Sequence, residues 1–233
     1  MSGVVAVLDR EPELAGHVER ERLAVAREVA WAQTLSLPVG PWGTRRWSPE
    51  VRNGLGLLVL DGLLLRHVLI AGRSSVELLG AGDLLRPWQV DEENDPSVPR
   101  QARWRVLRHV ELAVLDIDFA RRIAPYPELH GALVGKVMWR ARSLAVNIAI
   151  VRQPRVDVRL EMLLWHLADR WGTVRSDGVL LPVKLTHGVL AELLAASRPT
   201  VSAAMASLQR NGTIVAHERG WLLTGSPPAE AVA

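Results

Sequence analysis

The spacing of apolar and polar residues changes along this chain, and each change predicts a different element. Leu14, Val18, Val25 and Val29, interleaved with Glu and Arg, share one face of a helix over residues 13–34, which Leu37-Pro38 then breaks. From Pro41 to Asp116 the apolar runs are short and punctuated by glycine. They cover residues 54–60, a turn at Asp61-Gly62, residues 63–68, a turn at Ala71-Gly72-Arg73, residues 75–79, and Gly80-Ala81-Gly82-Asp83. With residues 103–108 and 111–116 they predict an antiparallel β-structure, closed by Pro125-Tyr126-Pro127. A proline-free stretch over 128–153 follows. In it His130, Val134, Val137, Ala141, Leu144, Ile148 and Val151 keep the four–three alternation of a two-helix seam. That seam fits a second copy of the helix or the chain's own β-region. Gly131 and Gly135, each costing about 1 kcal/mol relative to Ala, suggest a close approach near the start of the helix. Pro154 ends the run, and residues 158–168 supply another helix.

The last third of the chain predicts two short helices meeting at a tight turn, with a strand pair on either side. Thr186 is placed to cap a helix whose Leu190, Leu193 and Leu194 form an apolar stripe. Ser197 is placed to cap a second helix beginning at Arg198, where Pro199 is tolerated because the first turn has no partner for its missing N–H. Val201, Ala204, Met205 and Leu208 share one face of it, and Arg198, Ser202 and Ala206 another. Ser176-Asp177-Gly178 joins one strand pair, 173–174 with 179–181, and residues 217–220 join the other, 213–216 with 221–223. The two helices look like a helix-turn-helix.

Composition narrows the classes. With 233 residues, 48% of them hydrophobic, the chain has enough material for one large domain or two small ones. No apolar run is long enough to span a membrane, Asp9-Arg10-Glu11 comes too soon for a secretory signal, and the cytoplasm is the expected location. Cysteine is absent, which excludes disulfides, thiolate zinc sites and cysteine-ligated iron–sulfur clusters. Net charge is only +3, weak support for a nucleic-acid partner. Six basic residues between Lys136 and Arg159 face Asp157 alone, and Asp91-Glu92-Glu93 with Asp95 is acidic; each run also fits a solvated face. The nine tryptophans have no repeat, and core filling explains them better than base stacking. No phosphate-binding glycine loop, nucleophile elbow or metal-ligand histidine spacing occurs; His67, His109 and His166 read as packed or surface residues. No enzymatic activity, cofactor or metal ion is expected.

The run Ala195-Ala196-Ser197-Arg198-Pro199-Thr200-Val201-Ser202, with its Thr-capped helix before it and its strand pair after, resembles the DNA-binding module of the Crp/Fnr family of bacterial transcription regulators. The β-region resembles that family's β-roll sensor, with Gly82-Asp83-Leu84-Leu85 at the entry to its phosphate-binding cassette. The resemblance implies an α+β chain with a cyclic-nucleotide-binding-like antiparallel β-roll over 1–126, a dimerisation helix over 127–153, a winged helix-turn-helix over 154–226 and a tail over 227–233. It implies a homodimer on a pseudo-palindromic duplex and contact with RNA polymerase. Arg198 matches the family's guanine-reading Arg, whose fork fits the O6/N7 edge. Thr186, Ser197 and Thr200 match phosphate-contacting positions and also serve as caps. Pro199 stands in place of a frequent Glu and Ala203 in place of a second Arg, which leaves Ser202 as the other polar candidate on the reading face. Ala195 stands where relatives often have glycine. Nothing points to the histidine-ligated haem some members use.

In the cassette the chain departs from its cyclic-AMP-binding relatives. Arg86-Pro87 replaces the Gly-Glu pair whose carboxylate accepts from the ribose hydroxyl. Arg100 is the candidate for the phosphate-binding Arg, but Gln101 replaces the hydroxyl residue beside it, and the acidic loop 91–99 intervenes. The lost carboxylate removes a charge-assisted bond worth about 1.5–3 kcal/mol. Two alternatives stay open: an effector that is not a cyclic nucleotide, and a vestigial sensor on a constitutive DNA-binding or protein-docking dimer. Calorimetric titration with cyclic AMP is predicted to show no low-micromolar binding, and an isotherm in that range would contradict the reading.

Overall fold

The computed structural model describes residues 3–43, 47–88 and 98–228. The acidic cluster at Asp91–Asp95 therefore lies outside the described residues. The fold is α+β, and the chain divides into two compact units, Met1–Arg142 and Ser143–Ala233.

In the first unit, strands β1 (Val4–Ala6), β2 (Trp31–Leu37), β3 (Gly40–Trp42), β4 (Gly56–Ile70), β5 (Arg73–Gly80), β6 (Leu84–Leu85) and β7 (Gln101–Leu115) form an antiparallel sheet. The order is β1-β2-β7-β4-β5, with β3 added to β7 and β6 to β4. The apolar run at the start of β4 hides its period because both faces are covered. Leu57 and Val59 join Leu85, Trp88, Trp104 and Leu112 on one side. Leu58 and Leu60 join Leu115, Phe119, Ile123 and Leu129 on the other.

Two predicted breaks are bulges instead. Asp61-Gly62 does not end a strand, and the two segments at 103–108 and 111–116 are one strand, β7, which stops at Leu115. The β4–β7 register shifts between Val59 and Leu64, and Gly62 sits at φ +102, where an added Cβ would meet the His109 carbonyl oxygen at 2.2 Å. An inserted residue bends both strands and reverses which parity faces inward, so Leu64 takes up the side that Val59 held. The turn expected at Ala71-Gly72-Arg73 is a two-residue hairpin: Ala71 and Gly72 are both at positive φ, and Arg73 already pairs with Ile70.

The helix expected over 13–34 is broken up. Short helices α1 (Val7–Arg10) and α2 (Pro12–Ala15) precede α3 (Arg20–Val29), and residues 31–37 are β2. Leu14 and Val18 are buried as the helical pattern requires, but Val25 is 55% exposed and Ala26 takes the inward position. From Trp31 to Thr34 exposure alternates strictly, but Trp31-Ala32-Gln33-Thr34 does not alternate in polarity, so the sequence carries no period-two signal there.

Beyond α4 (Pro49–Arg52), helix α5 (Ile117–Arg122) is capped by Asp116, whose Oδ1 accepts from the Phe119 N–H at 2.8 Å. Helix α6 (Pro127–Arg152) follows. Leu129 and Leu133 bury one face of its start, whereas Val134, Val137, Met138 and Ile148 are exposed. Within the first unit α6 is fastened by charge. Arg140 donates to both oxygens of the buried Glu77, at 2.6 and 2.8 Å, and to the Leu84 carbonyl at 3.2 Å. Arg66 stands 3.5 Å from the same carboxylate. Burial lowers the basicity of Arg66, which Glu77 partly restores; for Arg140 burial is outweighed by the bonds to Glu77, and basicity rises. Glu77→Ala would leave two half-buried guanidinium groups without this counter-charge. It is predicted to lower stability in urea by about 3–5 kcal/mol, while the paired change Glu77→Leu with Arg140→Met costs less. A loss under about 1 kcal/mol for Glu77→Ala would show that the pair is idle.

Candidate nucleic-acid interface

The second unit is built on α7 (Val156–Trp171), α8 (His187–Leu193) and α9 (Arg198–Arg210), with a four-stranded sheet of β8 (Thr173–Arg175), β9 (Gly178–Leu181), β10 (Ile214–His217) and β11 (Gly220–Leu223). Val201, Ala204, Met205 and Leu208 of α9 are buried, as are Leu190, Leu193 and Leu194 around α8 and Leu160, Leu163, Leu164 and Leu167 of α7. The stripe read from the sequence is thus the inner face of α9, which packs against α7 and α8. The two expected strand pairs are halves of one sheet of order β10-β11-β9-β8. Their seam is β11 on β9, where a Cβ at Gly220 would fall 2.1 Å from the Leu181 carbonyl oxygen.

The turn between α8 and α9 is fixed by backbone bonds. The Ala196 N–H donates to the Ala191 carbonyl at 3.0 Å and the Ala195 N–H to the Glu192 carbonyl at 3.4 Å, the double closure of a helix that ends in a left-handed residue. Ala195 is that residue, at φ +48. Glycine would sit there without strain, and the Cβ costs about 1 kcal/mol. Arg159 of α7 helps hold the corner by donating to the Leu194 carbonyl at 3.2 Å and to the Gln153 carbonyl.

The outer surface presents two helix N-termini. Thr186 Oγ1 accepts from the Val189 N–H at 3.2 Å, capping α8. Ser197 Oγ accepts from the Thr200 N–H at 3.3 Å, capping α9, and lies 2.7 Å from Thr200 Oγ1. One hydroxyl proton of the Ser197–Thr200 pair is spent between them and one remains to donate outward; the Thr186 proton also remains. Ser197, Arg198, Pro199 and Thr200 are exposed side by side at the start of α9, and Thr186 is exposed at the start of α8. Arg198 makes no hydrogen bond or ion pair with the described residues. Ser202, one turn further along α9, is half-buried, and its Oγ lies 2.8 Å from His187 Nδ1. That contact has no sequence signal, since residues fifteen apart on different helices share no period.

Other candidates fall elsewhere. Arg100 lies in the first unit, just before β7, where its charge is felt by Arg66. Arg86 does not replace the missing carboxylate: it donates to the Arg52 carbonyl at 2.6 Å and lies over the Trp88 ring. The basic run 136–159 is largely engaged with the protein. Lys136 contacts Glu11 and Glu13, Arg140 contacts Glu77, Arg155 contacts Asp157, and Arg159 holds carbonyls. Trp88 and Trp104 fill the β-roll interior, and His166 is half-buried against Ser143 Oγ at 2.8 Å, with burial lowering its basicity. Among the described residues no group of His, Asp and Glu is placed to hold a metal ion.

This geometry defines a winged helix-turn-helix, and residues 158–224 match the family described as the Crp-like helix-turn-helix domain. The chain is 30% identical over 133 residues to the CRP-like cAMP-activated global transcriptional regulator of Mycobacterium tuberculosis, an alignment covering 57% of this chain and 59% of that protein. It is similar in structure to a CooA mutant from Carboxydothermus hydrogenoformans (17% identity, TM-score 0.58, 83% of each chain). It is also similar to a cyclic nucleotide-binding domain containing protein from Listeria monocytogenes (14% identity, TM-score 0.64, 81% of this chain and 87% of that one). The match to the family model is confined to the C-terminal module, and the chain as a whole shares the fold of these solved structures.

Proposed function

We propose that the protein is a DNA-binding transcription regulator of Crp/Fnr type that grips a pseudo-palindromic duplex as a homodimer. The observation that carries this reading is the outer face of α9, where Arg198 is exposed beside the capping hydroxyls Ser197 and Thr200 while the opposite face is buried. Arg198 has the fork to bridge guanine O6 and N7, and Ser202 is the second base-reading side chain. Thr186, Ser197 and Thr200 hold phosphates through hydroxyl donors and helix N-termini, fixing register without reading sequence. Pro199 lines the same surface without a donor.

The division of labour assigns 1–126 to the sensor, 127–153 to the dimer contact, 154–226 to the duplex and 227–233 to a tail. The dimer assignment is supported by the exposed seam residues, Val134 at 61% and Ile148 at 55%. Added Cβ atoms at Gly131 and Gly135 would meet nothing within 4 Å, so nothing in the described chain asks for glycine there, and close approach of a second copy does. A parallel pair of α6 helices puts the reading faces on half-sites about one helical turn apart. Contact with RNA polymerase and action in the cytoplasm complete the reading; among the described residues no helix is long and apolar enough to cross a membrane.

The Mycobacterium relative is named for cyclic-AMP activation. For this chain Arg86-Pro87 in the cassette argues against the same effector. A second reading is response to a different small molecule, and the feature that favours it is the cluster in which Arg66 and Arg140 converge on the buried carboxylate of Glu77 beneath α6.

The test is selection of duplexes from a random library, with and without cell extract, followed by titration of Arg198→Ala. Arg198→Ala is predicted to cost about 1–3 kcal/mol on the selected site and to relax preference at one base pair. Equal losses on all duplexes would restrict Arg198 to phosphate contact, and a wild-type chain that enriches no duplex would defeat the reading.

A further inference from the structure

Ser202 is an ambiguous reader on its own. A free serine hydroxyl rotates, donates and accepts, and so pairs with almost any base edge. Here it is not free: its Oγ lies 2.8 Å from Nδ1 of His187, the first residue of α8. The imidazole is itself set in place by a capped helix start, since Thr186 closes the turn on the Val189 N–H. We propose that His187 is a positioning residue for sequence readout, fixing where the Ser202 hydroxyl stands and which of its donor and acceptor sites remain for a base edge.

The proton count depends on the neutral tautomer. With the proton on Nδ1, His187 donates to one lone pair of Oγ, and the serine proton and the second lone pair are left for the base edge. With Nδ1 bare, the serine proton is used on His187, and Oγ presents only lone pairs, to a donor such as adenine N6 or cytosine N4, while acceptors such as guanine N7 or thymine O4 are rejected. In both cases one bonding site of Oγ is spent on His187 and the hydroxyl is held against α8. This bond between the two helices narrows the choice of base edge that the free serine would leave open. With a second Arg absent at Ala203, discrimination on this face beyond Arg198 rests on that one hydroxyl.

This inference rests on α9 being the recognition helix, and its test separates the two. An asparagine amide places a polar atom near imidazole Nδ1, whereas a glutamine amide places it near Nε2. On a duplex selected with the wild-type protein, Ser202→Ala identifies the base pair that Ser202 reads. His187→Gln is expected to reduce preference at that same base pair about three- to tenfold. In the Ser202→Ala background it should have no further effect, and His187→Asn should keep preference within about twofold of wild type. Retention by His187→Gln with loss by His187→Asn would overturn the proposal, as would a loss shared equally by every duplex or effects of His187→Gln and Ser202→Ala that simply add. If Ser202→Ala changes no base preference while Arg198-dependent binding persists, the His187 inference fails alone. If the wild-type chain binds no duplex selectively, the recognition-helix reading has failed first.

Discussion

The burial of one stripe on one helix organises the C-terminal unit. Val201, Ala204, Met205 and Leu208 are driven against α7 and α8 by the gain from removing apolar side chains from water, about 1.5–3 kcal/mol for a fully buried large one. Because a helix has two sides, that burial decides which residues are left outside, among them Arg198, Pro199, Thr200 and Ala203. The corner at Ala195 sets the angle at which the face is shown. Its left-handed backbone is held by two carbonyl bonds, and Arg159 reinforces it from α7. A residue with a Cβ is kept there at a cost, so the packing on either side is strong enough to impose the conformation.

Much of this was legible from residue order, because the helix-turn-helix is local. The caps Thr186 and Ser197, the tolerated Pro199, the buried stripe and the two turn-linked strand pairs are all properties of windows under fifteen residues, and all appear in the structure. Reading failed where the decisive contact was distant. The β4–β7 bulges turned two apparent strand breaks into bends, because Gly62 is demanded by a carbonyl of another strand. The helix expected over 13–34 broke after Ala15 and again after Val29, where residues 31–37 pair as β2 with β1 and β7. The bonds of His187 to Ser202 and of Arg140 to Glu77 join residues fifteen and sixty-three positions apart, and no periodicity announces them.

The first unit shows how a β-roll can be tied to its helix by its own side chains. Glu77 is buried, its two oxygens are taken by one guanidinium of α6, and the same guanidinium reaches the Leu84 carbonyl beside Asp83. Such a pair adds little net stability over a well-packed apolar core, yet it is costly to break from one side, so it favours one geometry of helix and sheet. A ligand that altered the helix would have to compete with that pair.

The account stands or falls on two copies of α9 addressing one face of a duplex in fixed phase. The most direct measurement is affinity for a selected site before and after inserting five base pairs, half a helical turn, between its half-sites. Loss of most of the selective affinity on that insertion, with recovery when the insertion is extended to ten or eleven base pairs, is the result the account predicts. Affinity indifferent to the phase of the half-sites would contradict it.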